Sequence, residues 1–222
     1  MGELLLVRHA QASFGSADYD RLSPLGHRQA AWLGDYLAGT FAAEGEGFCR
    51  IVRGRLRRHR ETVAGMVRGW ERLPEIVEDP RLDEMDYDTI EAAWCRLTGN
   101  PPPKTGREFR DAFPLMLEAW AEGRLADMPE SWDGFRARVD AALAEHLSPG
   151  RRTLVVTSGG PIAATLGRIL DLGPHAMFEI LNMTLNASLH RIAVRDGRLS
   201  LLQFNAVPHL ERPERMGFRT FI

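Results

Sequence analysis

Residues 4–30 read LLLVRHAQASFGSADYDRLSPLGHRQA, and they combine a strand, a loop and a helix start. The four leading residues are a short apolar run, which predicts a buried β-strand. A polar loop follows over residues 11–22. Ser23-Pro24 then supplies a helix N-cap and a favoured first helical residue, and the helix pattern runs to about Ala38. This order is typical of the opening unit of an α/β fold.

The alternation of strand and helix patterns continues along most of the chain. Residues 79–130 differ, because they combine a run of prolines, acidic loops and short helical stretches, and we interpret them as a lid inserted between core elements. Asp196-Gly197 predicts the turn of a C-terminal hairpin. Strands alternating with helices predict a mostly parallel sheet with helices on both faces. Further strands are predicted at residues 48–52, 75–78, 153–157, 188–194 and 199–204, and helices at 58–70, 132–147 and 161–170.

The composition excludes several classes of protein. The 222 residues are 44% hydrophobic and 26% charged, which is ordinary globular composition. The net charge of −2 argues against a dedicated nucleic-acid binder, and no apolar run approaches the roughly 20 residues that cross a bilayer. Cys49 and Cys95 are the only cysteines, so we expect a reduced, cytoplasmic protein. Motifs for metals and nucleotides are absent from the sequence, so neither a metal nor a cofactor is expected.

The first predicted strand ends in Arg8 and His9. The carboxyl edge of an open α/β sheet is where ligands bind, so both side chains are placed for function. Arginine presents a planar fork that suits phosphate oxygens, and a neutral imidazole attacks phosphorus to form phosphohistidine. The dipeptide alone is equally compatible with a structural histidine beside an ion-paired arginine.

The surrounding residues carry a family resemblance. Residues 4–30 resemble the opening of the histidine phosphatase superfamily, the phosphoglycerate-mutase-like proteins, which reads Arg-His-Gly, a polar loop and Leu-Ser/Thr-x-x-Gly-x-x-Gln-Ala. Ala10 replaces the glycine, at a cost of about 1 kcal/mol if the position needs a positive φ. The resemblance implies a three-layer α/β/α sandwich in a single domain, residues 1–222, with the lid at approximately 79–130. The matches are Arg8, His9, Leu22, Ser23, Gly26, Gln29 and Ala30.

A second segment, RIVRGRLRRHR at residues 50–60, holds six arginines. A solvated basic helix face or a nucleic-acid patch are alternative interpretations. The segment and the residues after it also resemble the family's Ser-Pro-Leu-x-Arg-Ala-x-x-Thr-Ala. The resemblance implies that Arg58 is a second phosphate-binding arginine at a helix N-terminus, where the dipole favours anions. Arg55 and Arg57 are then exposed neighbours, and His59 is predicted to point elsewhere. The matches are Leu56, Arg58, Thr62 and Val63.

A third segment, RLDEMDYD at residues 81–88, is similar to the family's Leu-x-Glu-x-x-x-Gly. The resemblance implies that Glu84 protonates the leaving oxygen and then activates water, a role that a raised pKa favours. Asp83 and Asp86 are rival candidates for the acid. The expected glycine falls on Asp88, and an exposed acidic loop remains an alternative interpretation.

A fourth segment, TLVVTSGGPIAA at residues 153–164, resembles the family's Val-Val-Ser-His-Gly-Gly. The family's second active-site histidine falls on Ser158. We expect Ser158 to be a neutral donor to phosphate, together with Gly159 and with Gln11 of the polar loop. Loss of the cationic donor should cost roughly 10- to 30-fold in rate. A Ser158→His substitution is accordingly expected to raise turnover.

The sequence therefore predicts a phosphomonoesterase of the histidine phosphatase type, with a phosphohistidine intermediate on His9. Its expected ligands are a small phosphorylated metabolite and inorganic phosphate, and neither nucleic acid nor a membrane is expected as a partner. A weakened family member that only binds phosphorylated ligands is the main alternative. A phosphoglycerate-type mutase is less favoured, since the lid shows no basic cluster for a sugar acid. The sequence specifies neither the substrate nor the oligomeric state.

Overall fold

A computed structural model describes residues 2–13, 18–42, 47–148 and 150–221. Residues 14–17, inside the predicted polar loop, therefore lie outside the described part of the chain. The described residues form seven α-helices and six β-strands. They are β1 (Gly2–Arg8), α1 (Pro24–Leu37), β2 (Arg50–Arg53), α2 (Arg57–Met66), β3 (Glu75–Glu78), α3 (Tyr87–Thr98), α4 (Gly106–Ala121), α5 (Trp132–His146), β4 (Arg152–Thr157), α6 (Gly159–Leu170), α7 (Pro174–Met183), β5 (Leu189–Arg195) and β6 (Arg198–Ala206).

The six strands form one sheet in the order β3-β2-β4-β1-β5-β6. β3, β2, β4 and β1 run parallel, and β5 is antiparallel to both of its neighbours. In the register of the sheet Arg8 lies beside Thr157, and Arg53 beside Val156. The carboxyl ends of β1, β2 and β4 are therefore level at one edge. The prediction of a mostly parallel sheet is confirmed.

Helices cover both faces of this sheet. Leu5 and Val7 of β1 pack in a core cluster with α1 and α2, whereas Leu4 and Leu6 pack in a second cluster with α3 to α7. Because both faces are buried, β1 reads as a continuous apolar run rather than an alternating one. The arrangement confirms the predicted three-layer α/β/α sandwich.

The loop after β1 is fixed to the first turn of α1. The Ser23 hydroxyl accepts a hydrogen bond from the Gly26 N–H at 2.9 Å, and Pro24 occupies the first helical position. A Cβ on Gly26 would lie 2.1 Å from the Gln11 carbonyl oxygen, so only glycine allows the loop to approach this closely. The helix start predicted from Ser23-Pro24 is confirmed.

Gly34 is the point of closest approach between α1 and α2. A Cβ there would lie 1.9 Å from the Met66 carbonyl oxygen. We expect Gly34→Ala to lower the free energy of unfolding by about 1–3 kcal/mol, because the two backbones must separate. Gly69→Ala is the matched control, since its added Cβ meets nothing within 4 Å. Urea unfolding measures both variants, and a Gly34→Ala protein as stable as the control would contradict this packing.

The predicted lid segment contains α3 and α4. Tyr87, Phe109 and Phe113 form an aromatic group between these two helices, with ring centroids 5.1 to 5.8 Å apart. α7 was not predicted, and it packs on α6, where a Cβ on Gly167 would lie 2.4 Å from the Met177 sulfur. Pro174 occupies its first helical position, but the N-cap residue Gly173 supplies no side-chain bond, so the helix depends on burial against α6.

Candidate active site

The carboxyl edge of the sheet brings residues from all four predicted segments together. Arg8 ends β1 and His9 follows it, Arg58 lies in the first turn of α2, Glu84 follows β3 and a short 3-10 turn, and Ser158 joins β4 to α6. Both arginines lie close enough that their charges lower the pKa of His9 and favour the ionised form of the Glu84 carboxyl group. The segments are distant in sequence, and the sheet alone makes them neighbours.

His9 is held in one orientation by backbone contacts. Its Nδ1 lies 2.8 Å from the Ala10 carbonyl oxygen. Because a carbonyl can only accept, Nδ1 carries the proton and Nε2 carries the lone pair. Burial is the main cause that lowers the pKa of His9 well below its usual range, and the charges of Arg58 and Arg8 add to it. His9 is thus a neutral imidazole with Nε2 available as a nucleophile.

Ala10 stands where the family motif has glycine. It is not among the non-glycine residues with a positive φ in the described ranges, so the alanine carries no backbone penalty. Its N–H donates to the Thr62 hydroxyl at 3.0 Å, and that hydroxyl donates to the Arg58 carbonyl oxygen at 2.7 Å. This chain of bonds fixes the end of β1 to the first turn of α2.

Arg8 and Arg58 each keep one side-chain nitrogen unsatisfied. Arg8 donates from Nη1 to the Thr184 carbonyl oxygen, and Arg58 donates from Nη1 to Asp20 Oδ1 at 2.8 Å. The Nε atoms of both arginines are buried without a hydrogen-bond partner. A buried unpaired N–H is costly, and the oxygens of an anion between the two arginines would satisfy both.

Two residues of the polar loop contact Arg58, and sequence reasoning missed both. The Asp20 carboxylate accepts from Arg58 Nη1 and, at 2.8 Å, from the Arg57 N–H. It thereby caps α2, whose own N-cap residue Leu56 supplies no side-chain bond. The Tyr19 ring centroid lies 5.5 Å from the Arg58 guanidinium carbon. No local motif marks these contacts, which arise where the loop packs against α2.

Glu84 lies against the N-terminus of α6. The Gly160 N–H lies 3.1 and 3.2 Å from the two carboxylate oxygens, and a Cβ on Gly160 would lie 2.1 Å from Oε1. Burial raises the pKa of Glu84, opposed in part by the charges of Arg58 and Arg8 and by the Gly160 N–H. A carboxyl group with a raised pKa retains its proton to higher pH, as a general acid requires.

The rival acids have other contacts. Asp83 Oδ1 accepts from the backbone N–H of Arg55 at 2.6 Å, and the Asp86 carboxylate caps α3 by accepting from the Thr89 N–H at 3.1 Å. Arg138 holds the backbone of this segment, donating from Nη1 to the Asp83 carbonyl oxygen at 2.8 Å. Sequence reasoning missed Arg138, because it lies on α5, far from any motif.

Ser158 and His59 form a buried pair. The Ser158 hydroxyl lies 2.7 Å from His59 Nε2, and both residues have no exposed surface. The ring centroids of His59 and His9 are 5.8 Å apart. The prediction that His59 points elsewhere is wrong, since adjacent helical positions differ by only about 100° and α2 buries both Arg58 and His59. The exposure predicted for Arg55 and Arg57 is confirmed.

The remaining predicted residues lie beside this group. A Cβ on Gly159 would lie 2.5 Å from Leu181 Cδ1 and 3.8 Å from Arg8 Nε, so glycine allows the start of α6 to approach the arginine. Gln11 accepts from the Ser23 hydroxyl at 2.7 Å through Oε1 and thereby joins the polar loop to α1. A phosphate contact from Gln11 or Gly159 stays a prediction.

Within residues 2–13, 18–42, 47–148 and 150–221, no group of three or more His, Cys, Asp or Glu side chains is arranged to hold a metal ion. In those same ranges no helix has both the length and the apolar character needed to span a membrane.

Known structures share this fold over nearly their whole length. YhfR from Bacillus stearothermophilus has a TM-score of 0.69 at 20% identity, over 95% of this chain and 100% of that one. A phosphoserine phosphatase mutant from Entamoeba histolytica, in complex with phosphoserine, has a TM-score of 0.65 at 17% identity, over 95% and 100%. The alpha-ribazole phosphatase from Shigella flexneri has a TM-score of 0.61 at 18% identity, over 92% and 96%. At these identities the likeness shows the fold.

Sequence comparison adds the family. No curated protein matches the chain significantly. The profile of the histidine phosphatase superfamily (branch 1) matches residues 4–207, which include every motif of the site. From this match and from the shared fold, we conclude that the chain belongs to branch 1 of the histidine phosphatase superfamily.

Proposed function

We propose that the chain hydrolyses phosphate monoesters of small metabolites through a phosphohistidine intermediate on His9. One observation carries this proposal: a neutral imidazole with a free Nε2 lies beside two guanidinium groups, each with a buried and unpaired Nε. The arginines supply charge and donors for three phosphoryl oxygens, and the imidazole supplies the nucleophile. The family motifs that match at Arg8, His9 and Arg58 support the same roles for these residues.

In the first step His9 Nε2 attacks phosphorus, so the N–P bond forms while the bond to the leaving oxygen breaks. Arg8 and Arg58 hold the equatorial oxygens and neutralise the charge that develops on them. The proton on Glu84 passes to the leaving oxygen, which departs as an alcohol. Ser158, Gly159 and Gln11 are proposed to complete the phosphate site.

In the second step the Glu84 carboxylate takes a proton from water. The water oxygen attacks phosphorus, the N–P bond breaks, and inorganic phosphate leaves with His9 neutral again. The pKa shifts support this sequence of steps, because that of His9 is lowered and that of Glu84 is raised. Opposite shifts increase the fraction of the protein that holds a neutral imidazole and a protonated carboxyl group at once.

The proposed substrate class is a small phosphorylated metabolite. Structures of a neighbouring phosphoserine phosphatase hold phosphoserine and, in another crystal, 3-phosphoglyceric acid. Both ligands are small phosphate monoesters that also carry a carboxylate. We extend to this chain the phosphate monoester and its small size, and leave the second group open, because an identity of 17–18% shows the fold alone.

Rapid acid and base quenching of a reaction with a radiolabelled phosphate monoester tests the proposal. We expect a transient label on the protein that is lost in acid and survives in base, as phosphohistidine does, and stoichiometric release of inorganic phosphate. Transfer of the label to a second substrate molecule without release would indicate a mutase. Phosphate-dependent thermal stabilisation with no turnover would instead indicate a protein that only binds, the alternative that Ser158 suggests.

A further inference from the structure

His59 has no role in the two steps above, yet its position is specific. The imidazole is fully buried at the same sheet edge, 5.8 Å from the His9 ring and 2.7 Å from the Ser158 hydroxyl. Burying an imidazole without a full set of partners is costly, and His59 Nδ1 has no hydrogen bond. A purely apolar side chain would fill this space at lower cost, so the polar pair calls for an explanation.

The surroundings of His59 are shaped to admit the ring. A Cβ on Gly54 would lie 2.3 Å from His59 Nδ1 and 2.7 Å from Asp83 Oδ1. Only glycine at position 54 therefore leaves room for both groups. The Asp83 carboxylate, 3.9 Å from Nδ1, is fixed by the Arg55 N–H and faces the ring edge opposite Ser158.

Three departures from the family motifs meet at this point. The motif Ser-Pro-Leu-x-Arg-Ala has serine at Gly54 and alanine at His59, and Val-Val-Ser-His-Gly-Gly has histidine at Ser158. These departures are complementary in space. Position 158 lacks the family's imidazole, and the imidazole of His59, on α2, contacts the Ser158 hydroxyl instead. Gly54 provides the room that the relocated ring requires.

We propose that His59 and Ser158 act as one unit in place of a single histidine, with His59 positioning and polarising the Ser158 hydroxyl that donates to the transferring phosphoryl group. This inference rests on the proposed function. With a proton on Nε2, His59 donates to the Ser158 oxygen and leaves the hydroxyl hydrogen free for a phosphoryl oxygen. His59 is then a positioning residue, and Ser158 makes the contact.

The charges around His59 favour this arrangement when an anion is bound. Burial is the main cause that lowers the pKa of His59 in the empty site, and the charges of Arg58 and Arg53 add to it. A phosphoryl dianion between Arg8 and Arg58 offsets those charges. A proton on each ring nitrogen then faces an acceptor, Ser158 Oγ on one side and the Asp83 carboxylate on the other. Neutral His9 is a further titratable neighbour, with its ring centroid 5.8 Å away.

A double-mutant cycle tests whether the pair acts as a unit. We expect His59→Ala and Ser158→Ala each to lower kcat about 10- to 30-fold, with a smaller change in KM. The double variant should lose no more than the worse single variant, because each substitution already disables the same donor. Multiplicative losses in the double variant, or an unchanged kcat in His59→Ala, would overturn the inference.

A stronger test moves the imidazole from position 59 to position 158. Ser158→His alone should lower kcat at least about tenfold, since a second ring would collide with His59 at 2.7 Å. This replaces the sequence-based expectation that Ser158→His raises turnover. Adding His59→Ala removes the collision and should restore kcat to within about threefold of the unmodified protein. A double variant no faster than His59→Ala would contradict the proposed exchange.

Two controls separate this inference from its premise. His146→Ala removes a buried imidazole at the end of α5 that is hydrogen-bonded to Asp79 in the loop after β3, and we expect it to lower the melting temperature but not kcat. His9→Ala tests the proposed function itself. If His9→Ala retains full activity, the proposed function fails. If His9→Ala is inactive but the cycle is multiplicative and the exchange restores nothing, only the role of His59 fails.

Discussion

Alanine in place of His9 lowers the turnover of an aryl phosphate by at least about a thousandfold, on the mechanism proposed here. The substitution removes the atom that forms the bond to phosphorus in the proposed first step. The acid-labile protein label should disappear with the activity. Steady-state release of 4-nitrophenol and the quench experiment measure these two effects.

Binding should survive this substitution. Arg8 and Arg58 keep their unpaired Nε atoms in the variant, so inorganic phosphate is still expected to raise the melting temperature. The matched control is His175→Ala, at an exposed histidine near the start of α7, and it should retain full turnover. If His9→Ala keeps more than a tenth of the activity while His175→Ala is normal, His9 is not the nucleophile.

Glutamine in place of Glu84 is expected to lower kcat about a hundredfold or more for an alkyl phosphate, whose leaving oxygen needs a proton. With 4-nitrophenyl phosphate the first step needs little proton donation, because the leaving phenolate is stable. The second step still lacks its base. We therefore expect a burst of nitrophenol equal to the enzyme concentration, followed by slow turnover and accumulation of phosphohistidine.

The pH dependence should change in the same variant. The active form has neutral His9 and protonated Glu84, so kcat/KM falls at low pH as His9 gains a proton and at high pH as Glu84 loses one. The pKa of His9 is lowered and that of Glu84 is raised, so the low-pH fall lies below the usual range of a histidine and the high-pH fall lies above the usual range of a glutamate. Glu84→Gln should abolish the high-pH fall and leave the low-pH fall in place.

Asp86→Asn is the matched control for Glu84→Gln. Asp86 lies two residues away and caps α3, and asparagine serves equally well at an N-cap. Its kcat and pH profile should therefore match those of the unmodified protein. A loss in Asp86→Asn as large as that in Glu84→Gln, or no burst in the latter, would show that the acid is not Glu84.

Local patterns predicted much of the architecture. The apolar run of β1, the Ser23-Pro24 start of α1 and the Asp196-Gly197 turn are each specified by neighbouring residues, and the structure has all three. The turn is recognisable because both residues have positive φ values, 49° and 75°, as a two-residue hairpin requires. α7 has Pro174 at its first position but no side-chain bond from its N-cap residue, so the local signal is weaker and its formation depends on burial against α6.

At the site, the resemblance of four segments to family motifs nominated Arg8, His9, Arg58 and Glu84, with Asp83 and Asp86 as rivals of Glu84. Those residues lie at strand ends and helix starts, and a parallel sheet necessarily gathers such positions at one edge. The role of a residue at a strand end or a helix start can therefore be predicted from the sequence around it. The partners of those residues cannot, as Asp20 and Arg138 illustrate.

The contact of His59 with Ser158 could not be predicted from the sequence. Its neighbour Ser158 is 99 residues away in sequence, and the side of α2 that faces the site is set by how α2 packs on α1 and the sheet. A rotation of the helix by one residue would expose His59 and bury another side chain in its place. Residue identities and caps specify the strand ends, the helix starts and the position of the proposed nucleophile, because those depend on neighbours in the chain. The pairing of His59 with Ser158 depends on packing between distant segments, and the folded structure alone specifies it.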